Sequence, residues 1–179
     1  MPSLTPVPPL PEVTVALDAL IPPLYRHYFN RRPDRPYYSA RRYDFPGLPG
    51  FLPLARAFLD TCAAEHDVHF RYLFPLLGSE LATNAIAHSR SGRPGGSFSL
   101  AVHRRRAGLM LICRDGGAAD PADAGPLLPG RLDPGSTHGR GLAMVDALST
   151  AWGQHGGSGH RNVWLHLDHD LDGTAWDAA

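Results

Sequence analysis

The sequence predicts one domain built from both helices and strands, on three observations. The chain has 179 residues, of which 43% are hydrophobic, and this suits a folded domain with a sizeable core. Apolar residues recur at three- and four-residue steps in residues 51–65 and 68–88, as they do in amphipathic helices. Apolar residues alternate with polar ones in residues 97–105 and 162–167, as they do in half-buried strands.

The charge balance excludes several classes of function. The formal net charge is zero, so the chain as a whole has no electrostatic attraction to nucleic acid or to a membrane surface. All 17 basic residues are arginine, so no lysine can serve as a nucleophile or bind a phosphate. Cys62 and Cys113 show neither metal-ligand spacing nor a disulfide framework. Without a signal-peptide pattern or a long apolar run, the sequence predicts a cytoplasmic protein that does not span a membrane.

Both ends of the chain differ in composition from the middle. Residues 1–36 are rich in proline and are predicted to form an extension outside a domain at residues 37–168. One interpretation is that this extension lies over the domain surface or is partly disordered. The other is an arm that contacts a partner or a second copy of the chain, because Tyr25, Tyr28 and Phe29 cluster there. Residues 169–179 are predicted to be an exposed tail.

The elements of the domain follow in order along the chain. Residues 39–45 predict an edge strand, and apolar periodicity predicts helices at 51–65 and 68–88. Because Pro75 lies inside the second pattern, that helix is expected either to start close to Pro75 or to be kinked or divided into two parts there. Residues 97–105 and 109–113 predict two strands joined by a tight turn, and the second strand is apolar enough to be central. A long loop at residues 116–138 leads to a helix that ends near residue 149. One strand is predicted to begin at residue 151, and a final strand is predicted at residues 162–167.

Polar side chains interrupt the apolar pattern of the second helix. Glu80, Asn84 and His88 are four residues apart, so at ~100° per residue they share one stripe of a helix. Leu77, Leu81 and Ala85 then face the core. The stripe is either a solvated edge of the helix or the border of a polar cavity, because a buried glutamate is costly unless it is paired or used. His88 is expected to cap or pack the helix end.

Two glycine motifs downstream favour the cavity. Asp115 follows the central strand with Gly117 two residues on, and residues 139–141 place two glycines where a flexible loop enters a helix. Asp115 can accept a hydrogen bond from an exocyclic amino group, and Gly117 permits a base to approach the backbone closely. The amides at the start of the helix suit an anion.

The polar stripe completes the description of a nucleotide site. The amide oxygen of Asn84 suits Mg²⁺, and Glu80, one turn earlier, can orient or deprotonate an attacking hydroxyl. Arg140, between the two glycines, either adds positive charge to the site or covers the surface.

Three segments together resemble a known family. Residues 80–88, 113–117 and 138–145 resemble the N, G1 and G2 boxes of the GHKL (Bergerat-fold) ATP-binding domain, and in particular those of the anti-sigma-factor serine/threonine kinases. The resemblance implies an α+β fold, a two-layer α/β sandwich with helices on one face of a mixed, mainly antiparallel sheet. It also implies that ATP lies under a mobile lid formed by about residues 118–138. A threonine common in the last strand of that family corresponds to Asn162.

The resemblance also assigns roles to individual residues. Glu80 would be the general base, Asn84 the Mg²⁺ ligand and Asp115 the residue that reads adenine. The remaining residues would shape the nucleotide pocket: Gly117, Gly139, Arg140, Gly141 and Leu142.

Two functions follow from the family. One is a kinase that uses Mg-ATP to phosphorylate an anti-sigma-factor antagonist. The other is a binding module, gated by nucleotide, that holds a sigma factor or antagonist without phosphorylating it. A homodimer is compatible with both, and neither calls for direct contact with nucleic acid or a membrane.

Overall fold

Five strands form a single sheet in the computed structural model, which describes residues 19–33, 38–120, 125–129, 140–157, 159–172 and 174–176. The strands are β1 (Ala40–Pro46), β2 (Ser97–Arg104), β3 (Gly108–Asp115), β4 (Ala151–Gly157) and β5 (His160–Asp168). They lie in the order β1-β2-β3-β5-β4, so β3 is central and β1 is an edge strand, as predicted.

All four pairings in the described sheet are antiparallel, which agrees with the mainly antiparallel sheet that was expected; no parallel pair occurs among the described strands. Short connections account for two of the pairings. The turns that join β2 to β3 and β4 to β5 are only a few residues long, and such turns can link only antiparallel neighbours.

The described helices cover one face of this sheet and make the fold a two-layer α+β sandwich. They are α1 (Leu52–Cys62), α2 (Val68–His88) and α3 (Arg140–Leu148). The carboxylate of Asp67 caps α2 by accepting hydrogen bonds from the amides of His69 (2.8 Å) and Phe70 (3.1 Å). Within the described part of the chain, no helix is long and apolar enough to cross a membrane.

Helix α2 runs through Pro75 as one continuous helix, so the prediction of a two-part helix or a start near Pro75 is wrong. Proline removes one backbone donor from a helix. The buried side chains on both sides of Pro75 hold the helix together: Phe70, Leu73, Phe74, Leu77 and Leu81. Burial of these side chains against the sheet outweighs the lost hydrogen bond, because each contributes roughly 1.5–3 kcal/mol.

The core lies between the helices and the sheet. Leu109, Leu111 and Cys113 of β3 point into it, and the predicted face of β5, which carries Val163, Leu165 and Leu167, is also buried. Cys62 and Cys113 are both buried free thiols. Burial raises the pKa of the Cys62 thiol to about 11.

Part of the proline-rich extension packs on the domain. A 3₁₀ helix at Pro23–Phe29 brings Phe29 against Tyr43 and Phe45 of β1 and Phe58 of α1, with ring centroids 5.0–6.4 Å apart. Residues 19–33 therefore lie over the domain surface. Residues 1–18 and 34–37 lie outside the described residues, and the division of the chain at residue 36 stays a prediction.

The chain end after β5 differs from the exposed tail that was predicted. Leu171 and Thr174 are each 5% exposed, so the prediction is wrong for these residues. The backbone amide of Ala175 donates to the carbonyl of Ala147 in α3 (2.9 Å), which ties this segment to the helical layer. Leu171 belongs to the core cluster and Trp176 packs against it, so burial of side chains as well as this hydrogen bond holds the segment.

The packing of the extension gives a stability test. Replacing Phe29 with alanine should lower the free energy of unfolding by about 1–3 kcal/mol, because the aromatic contacts to α1 and β1 are lost. Leu24→Ala is the matched control in the same 3₁₀ helix, since Leu24 is 74% exposed and its loss should cost less than about 0.5 kcal/mol. Urea unfolding measures both variants. Equal stability of Phe29→Ala and wild type would contradict the packing described.

Candidate functional site

A pocket of about 460 Å³ opens between α2, α3 and the ends of β3 and β5. Its walls are largely apolar, with a few polar side chains. It is lined by Leu81, Asn84, Ala85, His88, Cys113, Asp115, Leu142, Arg161 and Val163 and by residues 125–128. This volume, and the combination of apolar walls with a few polar side chains, are typical of a site that binds a small molecule.

Asp115 is the most constrained polar group in the pocket. It is 6% exposed at the end of β3. One carboxylate oxygen accepts a hydrogen bond from the amide of Gly117 (2.7 Å), and the other lies 3.3 Å from Nε of Arg161. Gly117 has a φ of +76°, a conformation that favours glycine, so its amide can turn back toward the carboxylate. The carboxylate is therefore fixed by a backbone donor and a cation.

The segment after α2 holds the loop that carries Gly117. The hydroxyl of buried Ser91 accepts a hydrogen bond from the amide of Gly116 (2.9 Å). Nε of Arg90 donates to the carbonyl of Gly116 (2.8 Å), and the amide of Arg90 donates to the carbonyl of Gly117 (2.9 Å). These bonds fix the end of β3 relative to the end of α2. Neither Arg90 nor Ser91 belongs to a motif from which the sequence predicts a role.

Glu80 and Asn84 lie on one side of α2, and both are half-buried. Asn84 lines the pocket. Glu80 lies one turn earlier, and a methyl group at Gly141 would come within 2.5 Å of its Oε2. The carboxylate therefore lies against the first turn of α3, and the absence of a side chain at Gly141 makes room for it. Asn84 and His88 of the stripe line the pocket, whereas Glu80 contacts the start of α3 beside it.

The chemistry of Glu80 is altered by its surroundings. Burial raises the pKa of its carboxyl, and the positive charge of Arg56 partly opposes that rise. Arg56 reaches from α1 and donates through Nε to the hydroxyl of Ser79, at 3.1 Å. A carboxylate with a raised pKa is a stronger base than an exposed one. Arg56 carried no sequence signal, because nothing in its local pattern connects it to α2.

The other predicted residues are placed as follows. Leu142 lines the pocket, and Arg140 is exposed at the first position of α3. Gly139 lies outside the described residues. His88, the last residue of α2, lines the pocket, and the expectation that it caps or packs the helix end stays a prediction.

The last strand contributes a residue that the sequence analysis missed. Asn162 was aligned with the family threonine, but the residue of β5 that pairs with Asp115 and lines the pocket is Arg161. Asn162 pairs with exposed Arg114 instead, on the opposite face of the sheet. The match of Asn162 to the family threonine stays a prediction.

Residues 125–129, within the predicted lid, are held by the edge strand β4. The side chain of Gln154 accepts a hydrogen bond from the amide of Leu127 (2.9 Å) and donates one to its carbonyl (2.8 Å). Residues 125–128 line the pocket, so this pair of bonds positions one of its walls. The rest of the predicted lid, apart from residues 118–120, lies outside the described residues.

The residues present fit a purine nucleotide. The apolar walls can hold a flat base, and the fixed carboxylate of Asp115 can accept a hydrogen bond from an exocyclic amino group. Asn84 lies on the same side of α2 as Glu80, so it can supply an amide oxygen to Mg²⁺ beside the start of α3. The fold and this site together define a nucleotide-binding domain of the α+β type.

Comparison with known proteins agrees with this class. A family model described as a histidine kinase-like ATPase domain matches residues 45–166, which is more than half of the chain. The chain therefore belongs to the histidine kinase-like ATPase family and is an ATP-binding protein of the GHKL type. A search of curated proteins found no match.

The charge environment of Glu80 can be measured directly. The chain has only three glutamates, so carbon NMR of the glutamate carboxyls resolves Glu80, which the variant Glu80→Gln identifies. Glu80 should titrate above the usual range of a glutamate carboxyl. Arg56→Gln should raise the pKa further, because the cation that favours the carboxylate is removed. Arg71→Gln, an exposed change on α2, is the control, and an unchanged pKa in Arg56→Gln would contradict the assignment.

The hydrogen bonds of Gln154 give a second test. Gln154→Leu removes both bonds to Leu127, so amide hydrogen exchange at Leu127 should accelerate by about 10-fold or more. His155→Leu, at the next and exposed position of β4, should leave that exchange unchanged. Equal exchange in wild type and Gln154→Leu would show that another contact holds the segment.

Proposed function

We propose that this protein is a serine/threonine kinase of the anti-sigma-factor type, which binds Mg-ATP and phosphorylates an antagonist protein. The observation that carries the proposal is the position of Glu80. Its half-buried carboxylate lies against the start of α3, one turn from pocket residue Asn84. A base is needed there for transfer to a hydroxyl, whereas nucleotide binding alone does not call for one.

The residues divide the work between binding and proton transfer. Asp115 accepts a hydrogen bond from the adenine amino group, and the apolar walls exclude water from the base. Bound Mg-ATP would supply the phosphoryl group, with ADP as the leaving group, and the metal that neutralises the phosphate charge. Asn84 would offer an oxygen to that metal, and Glu80 would remove the proton of the serine or threonine hydroxyl as its oxygen bonds to the γ-phosphorus. The first turn of α3 offers backbone amides to the phosphates.

The proposal is tested by separating binding from transfer. Titration calorimetry should detect Mg-ATP binding to wild type, and Asp115→Asn should weaken it by about 10- to 100-fold, because a charge-assisted hydrogen bond is lost. Asp44→Asn, an exposed change on β1, is the control. Glu80→Gln should still bind Mg-ATP, while transfer of ³²P to antagonist candidates falls by about 100-fold or more. Transfer that persists in Glu80→Gln would remove Glu80 as the base.

A second function is favoured by the bonds between Gln154 and Leu127. These bonds position a pocket wall that belongs to the predicted lid, so nucleotide occupancy and the lid surface can be coupled without phosphoryl transfer. The protein would then bind a sigma factor or antagonist with an affinity set by nucleotide. In this case ATP changes partner affinity in wild type while no phosphoprotein forms. Equal affinity with and without nucleotide would refute gating.

A further inference from the structure

Arg161 holds an unusual position in the pocket. It lies on β5 directly opposite Asp115 on β3, and both side chains face the pocket. Their side chains are only 11% and 5% exposed, so this is a buried ion pair and not a surface one. Burying two charges is costly unless their remaining hydrogen-bonding groups are also used.

The hydrogen-bonding capacity of the pair is only partly used within the described structure. The carboxylate of Asp115 accepts from Gly117 and from Nε of Arg161. Arg161 makes its one side-chain hydrogen bond to the described residues through Nε, so its two terminal nitrogens have no protein acceptor there. Because Nε is bonded to the carboxylate and Arg161 lines the pocket, these N–H groups belong to the same pocket wall as the carboxylate. The wall thus presents an acceptor and a fixed donor next to each other.

This arrangement matches one edge of adenine. The Watson–Crick edge of adenine carries an amino group, which donates, beside the ring nitrogen N1, which accepts. Asp115 can accept from the amino group while a terminal nitrogen of Arg161 donates to N1. A purine with an oxygen at position 6 has the reverse order, a carbonyl beside a protonated N1, and in the same position it would meet the carboxylate and the guanidinium unfavourably.

We propose that Arg161 is a second base-reading residue, which donates a hydrogen bond to N1 of adenine beside Asp115. This inference rests on the adenine site described above and adds a specificity-determining residue to it. It gives the buried guanidinium a ligand acceptor, whereas a purely structural ion pair would be indifferent to N1. Arg161 also holds the Asp115 carboxylate in place, so its two roles must be separated by experiment.

The experiment compares ATP with 1-deaza-ATP, in which a C–H group replaces N1 while the amino group remains. Wild type should bind 1-deaza-ATP about 10- to 100-fold more weakly than ATP in calorimetric titration with Mg²⁺. Arg161→Met should bind ATP more weakly than wild type and should bind the two nucleotides within about 3-fold of each other. Arg114→Met, an exposed change one residue from Asp115 on the opposite sheet face, should keep the wild-type ratio.

The outcomes distinguish this proposal from the one on which it rests. Wild type that binds ATP and 1-deaza-ATP equally would overturn the role of Arg161 and leave ATP binding intact. A large difference that persists in Arg161→Met would also overturn it, because N1 would then be read by another group. Wild type that binds neither nucleotide would overturn the adenine site itself and the proposal with it.

Two further measurements protect the test against an unfolded variant. Thermal unfolding reports whether Arg161→Met is folded, and Arg161→Lys keeps a positive charge beside Asp115 if the methionine variant is not. The lysine variant, whose ammonium group lacks the planar guanidinium geometry, should show a smaller preference for ATP over 1-deaza-ATP than wild type. A full preference in that variant would argue against a contact specific to arginine. Equal binding of the two nucleotides by wild type would refute the proposal without any variant.

Discussion

The buried carboxylate of Asp115 is the constraint on which the rest of the site depends. An ionised carboxylate inside a protein is stable only when donors surround it. Here the donors are the Gly117 amide and the Arg161 guanidinium, one on each oxygen. The first requires a backbone with positive φ, and the second requires β5 to pair with β3 in register. Strand register, loop conformation and pocket chemistry are therefore linked through one side chain.

The same constraint extends to α2. The loop after β3 is fastened to Arg90 and Ser91, which immediately follow α2 through Ser89. A rigid helix and a rigid strand joined at their ends keep Asp115 and Asn84 on two sides of one pocket. This explains how a helix that contains a proline still holds its polar side chains beside the pocket. Its C-terminal end is fixed by hydrogen bonds to the loop after β3 as well as by packing.

Much of this architecture could be predicted from the sequence because it rests on local patterns. The apolar periods of α2, β3 and β5 identified the helix, the central strand and the buried face of the last strand. Arg161 could have been found in the same way. Val163, Leu165 and Leu167 were expected to share one face, and two residues earlier on that face is Arg161. Alignment to a family position pointed to Asn162 instead, and the period of the strand is the stronger argument.

Other contacts had no local signal. Gln154 meets Leu127 across 27 residues, and Arg56 meets Ser79 across 23, so only the folded chain brings them together. Short connections between β2 and β3 and between β4 and β5 require antiparallel pairs, whereas the pairing of β1 with β2 and of β3 with β5 joins strands distant in sequence. Predictions from periodicity thus succeeded where burial determines the structure. They failed where a polar side chain depends on a partner distant in sequence.

The position of Glu80 implies how charge must be balanced in this site. The carboxylate lies at the first turn of α3, the positive end of the helix dipole, which is also where the helix amides can receive phosphate. Two anions near one helix terminus repel each other unless cations lie between or beside them. The positive charge of Arg56 offsets part of this repulsion at Glu80. The chain has no lysine to add to it, so the divalent metal proposed beside Asn84 would supply further positive charge where phosphate and carboxylate meet.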